Sequence, residues 1–177
     1  MTHVALLRGV NVGKAKRVAM ADLRGLFEEL GFREVRTLLN SGNVVFTVPG
    51  RVKKDLATGI EKAMAERLGV TSRVTILTTA ELDTIVAGNP LLGVATNHSR
   101  LMISVVNSAA DMEHLKPLLK RDWGTDKMGV GPRVAYLWCP NSILDSELAG
   151  AVAKALGDRV TSRNWATISK LHVLTRG

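Results

Sequence analysis

Two stretches hold the residues whose types suit chemistry. Arg8-Gly9-Val10-Asn11-Val12-Gly13-Lys14 lies near one end of the chain, and Thr161-Ser162-Arg163-Asn164-Trp165 near the other. In the first, glycines free backbone N–H groups to converge on an anion, while Arg8, Asn11 and Lys14 add side-chain donors. In the second, Arg163 offers a planar fork of donors for phosphate or carboxylate. Asn164, as a helix N-cap, would set free N–H groups beside it. Trp165 either stacks a base or anchors a helix in the core, since Ile168 continues its face. The two stretches are expected to face one another across an anion-binding cleft.

Charge singles out the same segments. The formal net charge is +8, from 24 basic and 16 acidic residues. Residues 1–21 hold Arg8, Lys14, Lys16 and Arg17 with no acid, and residues 159–177 hold Arg159, Arg163, Lys170 and Arg176 with none. Those eight account for the whole excess. Clustered charge of this kind bears on partners rather than on fold. The alternative is a pair of solvated tails, but both segments also carry periodic apolar residues.

Other chemistries find less support. The first stretch is not a Walker A loop: its Gly-to-Gly spacing is one residue short, and Ala15 stands where a Mg²⁺-binding hydroxyl is required. Its alternative is a strand-to-helix loop whose glycines only allow positive φ. Asn40-Ser41-Gly42-Asn43 has the residue types of a tight hairpin; alternatively, Ser41 and Asn43 present donors beside Arg8 or Arg36. The four histidines show no metal-ligand spacing, and no nucleophile elbow is present. No catalytic residue, metal or cofactor is assigned. Cys139, the single cysteine, excludes an internal disulfide and reads as a buried, inert thiol. No apolar run approaches the roughly 18 residues of a membrane span, and no signal peptide is recognisable, so a cytoplasmic location without membrane partners is expected.

The elements that must position these residues follow from periodicity. Residues 3–8 read as a strand, from the apolar run Val4–Leu7, and 9–17 as a loop. Leu23, Leu26, Phe27 and Leu30 mark a helix stopped by Gly31. Strands are expected over Val35–Leu39 and Val44–Val48, then a helix carrying Leu56, Ile60, Met64 and Leu68, then a strand at Val74–Leu77. Thr78 and Glu81 form a capping box for a short helix. The second half repeats the order: strand Leu101–Val106; a helix N-capped by Ser108; a strand near Trp123–Lys127; a turn at Gly129–Pro132; a strand at Val134–Trp138; a helix with Leu144, Leu148, Val152 and Leu156; and a last helix through Trp165, Ile168 and Leu171. Arg67-Leu68-Gly69 before Thr71-Ser72-Arg73 resembles Ala155-Leu156-Gly157 before Thr161-Ser162-Arg163. The expected fold class is therefore α+β: duplicated ferredoxin-like halves in a β-α-β-β-α-β pattern, with antiparallel sheets and helices packed on one face. The halves are placed at 1–78 and 99–177, joined by a linking helix and loop over 79–98.

Leu6-Leu7-Arg8-Gly9-Val10-Asn11-Val12-Gly13, Met20 and Leu23, Arg36-Thr37, Ser41-Gly42-Asn43-Val44-Val45-Phe46, and Thr161–Thr167 with Lys170-Leu171 together resemble domain of unknown function 1697. The resemblance implies a bacterial, two-part α+β protein built from ferredoxin-like halves, and no established activity. The chain departs from the pattern in a shorter loop at Gly13–Lys16, in Asn40, in Asp145-Ser146-Glu147-Leu148, and in Ala166.

The expected function is non-covalent binding of an anionic ligand, RNA or a nucleotide-like phosphate, through Arg8, Asn11, Lys14, Arg36, Ser41, Asn43, Arg163, Asn164 and Trp165. This expectation leans on the clustered cations and on an open sheet face, although the chain has only seven aromatics and RNA-binding sheets of this fold stack bases on aromatics. The alternatives are an enzyme acting on a small phosphorylated or carboxylated metabolite and a protein-interaction module.

Overall fold

The computed structural model describes residues 1–177. The chain divides into two units: Met1–Leu82 with Leu171–Gly177, and Asp83–Lys170. No helix is long and apolar enough to cross a membrane.

The first unit runs β1 (Thr2–Leu7), α1 (Met20–Glu29), β2 (Arg33–Leu38), β3 (Asn43–Thr47), α2 (Leu56–Leu68), β4 (Val74–Thr78) and then α3 (Thr79–Ala87), which crosses into the second unit. Its sheet has the order β2-β3-β1-β4, all antiparallel. Alternation sends Ala5, Leu7, Val44 and Phe46 toward the helices, where they pack with Leu23, Leu26 and Phe27 of α1 and Ile60 and Met64 of α2. Gly69, at φ 66, closes α2 with a left-handed cap.

The second unit holds β5 (Leu101–Val106), a 3₁₀ turn over 109–115 leading into α4 (Lys116–Leu119), β6 (Lys127–Gly131), β7 (Val134–Trp138), α5 (Glu147–Leu156), β8 (Val160–Asn164) and the start of α6 (Trp165–Thr175). Its sheet order, β6-β7-β5-β8, repeats that of the first unit. Val106, Ala135 and Leu137 pack beneath Leu148, Val152 and Leu156 of α5. The fold is thus a duplicated α+β one.

The repeat extends to single hydrogen bonds. Leu7 N–H donates to the Gly42 carbonyl and Arg8 N–H to the Arg73 carbonyl; in the second unit, Val106 N–H donates to Arg133 and Asn107 N–H to Arg159. Leu7 pairs with Val74, and Val106 with Val160. This alignment corrects the sequence repeat. Leu68-Gly69 and Leu156-Gly157 do correspond, each ending a helix. Thr71-Ser72-Arg73 precedes β4, however, whereas Thr161-Ser162-Arg163 lies inside β8, because the second connection is two residues shorter. Arg163 pairs with Ile103 as Leu77 pairs with Val4, so the arginine occupies the position of a fully buried leucine.

Three further expectations change. Gly129 and Gly131 belong to β6 rather than to a turn. A Cβ at Gly129 would lie 2.5 Å from Pro90 Cγ, and one at Gly131 would lie 2.9 Å from Val134 Cγ1, so close approach accounts for the glycines. Leu144 stands outside α5 and is 97% exposed. The open sheet face is also absent: Val4, Leu6, Val45 and Leu77, opposite the helices of the first unit, are buried, as are Ile103, Val105 and Tyr136 in the second. The Tyr136 hydroxyl donates to the Ile85 carbonyl at 2.6 Å, and burial pushes its pKa up to about 12.

Candidate functional site

Strand β1 is apolar to its last residue, Leu7, and then breaks at Arg8-Gly9. Four residues of the following loop adopt positive φ: Gly9, Asn11, Gly13 and Lys16. Asn11 accepts that conformation more readily than most residues and braces the loop. Its amide nitrogen donates to the Val18 carbonyl at 2.8 Å and to the Asn40 carbonyl at 2.7 Å, and its Oδ1 accepts from Val18 N–H at 2.8 Å. Arg17 donates to the carbonyls of Asn11 and Gly13. These bonds tie loop 9–17 to the hairpin after β2. Asn11 therefore shapes the loop rather than offering donors to a ligand. Asn11→Ala is expected to cost about 1–3 kcal/mol, because it strands the Val18 amide and two carbonyls, with faster hydrogen exchange at Val18 as the check.

Arg8 is half-buried. Its Nε is shielded from solvent and has no hydrogen-bond partner, while its carbonyl accepts from the Ser72 hydroxyl at 2.9 Å. Ser72 and Arg73 adjoin it, and sequence reasoning missed both. The available signal was their place just ahead of β4, obscured by the false repeat. Lys14 and Lys16 are exposed on the loop. In the hairpin, buried Asn43 donates to the Leu38 carbonyl at 2.8 Å and to Ser41 Oγ at 2.9 Å. These two bonds close the hairpin, so the amide hydrogens of Asn43 serve the turn.

The structure brings Arg8, Asn11, Ser41 and Asn43 into one neighbourhood and puts Arg36 elsewhere. Arg36 lies on exposed β2 and donates to the Leu174 carbonyl in the last turn of α6 at 2.7 Å. A cation there satisfies a helix-terminal carbonyl and the negative end of the helix dipole. Arg24, Glu28, Glu34 and Arg176 share its pocket, so the surroundings are of mixed charge rather than purely basic.

In the second unit, Arg163 projects from β8 on the face opposite α5, half-buried, with one guanidinium N–H donating to the Ser162 carbonyl at 2.9 Å. Burial pushes its pKa down to about 10, which leaves it charged at neutral pH. Asn164 is the expected N-cap: its Oδ1 accepts from Thr167 N–H at 2.9 Å. Thr78 does the same for α3, accepting from Glu81 N–H while its own N–H donates back to the Glu81 carboxylate. Trp165 is 6% exposed, the burial of an anchor rather than of a stacking platform. Cys139 is buried, its pKa raised chiefly by burial. Its thiol donates to Ser146 Oγ, which in turn donates to Asp126. No group of three or more metal-ligating side chains is present.

The family model for a protein of unknown function, DUF1697, matches residues 1–136. The chain belongs to the DUF1697 family. No curated protein matches it. Among solved structures it is similar to the conserved bacterial protein SP0830 from Streptococcus pneumoniae, at 21% identity and a TM-score of 0.80, over 98% of this chain and 97% of that one. At that identity the likeness concerns the DUF1697 fold, and it agrees with the duplicated architecture.

Proposed function

We propose that this DUF1697 protein binds a phosphate-bearing anion non-covalently, a nucleotide or an RNA, with loop 8–17 as a recognising element. The observation that carries this reading is Arg8: a half-buried guanidinium whose shielded Nε has no protein partner. A buried polar donor without a partner is costly, and an anion would satisfy it. Lys14 and Lys16 supply further positive charge on the same acid-free loop. In the second unit, Arg163 is the corresponding candidate, a cation at a strand position that the first unit fills with Leu77. Buried sheet faces leave no platform for stacked bases, so an RNA would be held by its phosphates, and binding would weaken steeply with salt.

The test is a thermal-shift screen with pyrophosphate, ATP and a mixed oligoribonucleotide, followed by titration. A ligand of the native state at 100 times its Kd stabilises by about 2.7 kcal/mol. Arg8→Ala and Arg163→Gln are each expected to lower affinity by about tenfold or more, the equivalent of ~1.4 kcal/mol, without lowering the melting temperature of the free protein. Saturation by ATP with a shallow salt slope identifies a nucleotide; a steep slope with the oligoribonucleotide alone identifies RNA. If none of the three probes shifts the melt, or if Arg8→Ala binds as the parent does, the reading fails.

A further inference from the structure

A second cavity, of about 200 Å³, opens in the first unit at the far end of the sheet from loop 8–17. The loop leaves β1 beside Gly42, whereas the cavity borders Val48, whose N–H donates to the Met1 carbonyl at the start of the chain. Its lining is mainly apolar: Phe32 after α1, Val48 after β3, and Leu56 and Ile60 on α2. Phe32 belongs to an aromatic cluster with Phe27 and Phe46, so that side of the wall is backed by packed core. Two cations, Arg51 and Lys53, stand at the rim against one carboxylate, Asp55. Both cations are exposed and neither has a hydrogen bond or ion pair.

We infer that this cavity is a binding site for a small amphipathic anion, an aryl or short-chain carboxylate whose apolar body enters between Phe32, Val48 and Ile60 and whose charged head meets Arg51 and Lys53. The division of labour is the usual one in small-ligand pockets, apolar walls for affinity and a few charged groups for orientation. The volume is below the roughly 300–1,000 Å³ of sites for drug-sized ligands, which restricts the occupant to about one fused ring or a short chain. The charge balance at the rim selects anion over cation. The inference stands apart from the phosphate-binding reading, because no residue is shared between the two.

Gly59 allows a clean block. It lines the cavity within α2, its φ is not positive, and a Cβ there would meet nothing within 4 Å. Gly59→Leu is therefore tolerated sterically and favoured by helix propensity. The probes are 2-naphthoate, the neutral 2-naphthylmethanol and the cationic 2-naphthylmethylamine, titrated into the full chain by calorimetry and by amide chemical shifts. Naphthoate should saturate at one per chain, with shifts concentrated at Phe32, Val48 and 56–60. Gly59→Leu should weaken it by about tenfold or more while the melting temperature holds or rises. The Arg51→Gln/Lys53→Gln double variant should weaken naphthoate alone and leave the neutral probe unchanged. The inference is overturned by shifts that map elsewhere, by cationic probe binding equal to the anion's, by undiminished binding in Gly59→Leu, or by the absence of saturation.

Discussion

Gly42→Val is expected to destabilise this protein by about 2–6 kcal/mol, the sum of two separate penalties. Gly42 has φ 82, where a β-branched residue costs roughly 1–3 kcal/mol in backbone strain. In addition, a Cβ at this position would lie 2.9 Å from Leu7 Cβ and 3.5 Å from Val10 Cβ. Both neighbours are buried core residues, and overpacking a full core costs about another 1–3 kcal/mol. Rotamer changes in Leu7 cannot relieve the clash, because its Cβ is fixed by the backbone of β1. That backbone is held in turn by the Leu7 N–H to Gly42 carbonyl bond of 2.9 Å. Gly50→Val separates the penalties: Gly50 has φ 71 but nothing within 4 Å of a Cβ, so it carries strain alone. Urea melts of the two variants should differ by the steric part. Equal losses would mean that the β1–hairpin contact yields freely, and the packing argument would fail.

Deleting residues 159–177 is expected to abolish the cooperative melt. The truncation strips β8 from β5, a ladder running from the Val106–Val160 pair to the Met102–Asn164 pair, and leaves one edge of β5 unpaired while the other keeps β7. It also removes Trp165, Ile168 and Leu171, all buried. At roughly 1.5–3 kcal/mol for each large apolar side chain, the loss is about 5–9 kcal/mol, against a total stability of about 5–15 kcal/mol for a native protein. Arg159, Arg163, Lys170 and Arg176 go with it, half of the net positive charge, so the proposed phosphate binding should fall as well. Ending the chain after Lys170 instead keeps β8, Trp165 and Ile168; that shorter truncation should retain a cooperative, lower-temperature transition in calorimetry. A cooperative melt in the longer truncation would show the segment to be an appendage, and the burial argument would be wrong.

The elements that were legible in the sequence are those whose own residues determine them. Leu23, Leu26 and Phe27 recur at helical spacing and are the buried face of α1. Gly42 sits at a left-handed turn, and Thr78 and Glu81 close the capping box expected of them. Strand β8 was not legible, because Val-Thr-Ser-Arg-Asn has one aliphatic residue and becomes a strand through pairing with β5. The β6 glycines were misleading for a related reason: the constraint on Gly129 comes from Pro90, far away in sequence. Among the candidate site residues, type alone did not reveal which side chains the fold itself employs. Asn11 and Asn43 looked like donors to a ligand, and the structure uses their amides to shape the backbone. Arg36 shares the charge of the basic loop but reaches the end of a helix instead. Hydrogen bonds between distant segments decide such roles, and composition does not encode them.

Position 163 bears on how the two copies diverged. A duplicated fold begins with two equivalent strands, and here the same point in the ladder carries leucine in one copy and arginine in the other. The leucine is fully buried, whereas the arginine is half-buried and donates to the Ser162 carbonyl. The first copy places an aliphatic side chain in the core at this point. The second carries a positive charge there, its pKa pushed down to about 10 by burial. The halves are therefore no longer interchangeable. A first copy set in place of the second would lack the one charged group that distinguishes this strand from its twin.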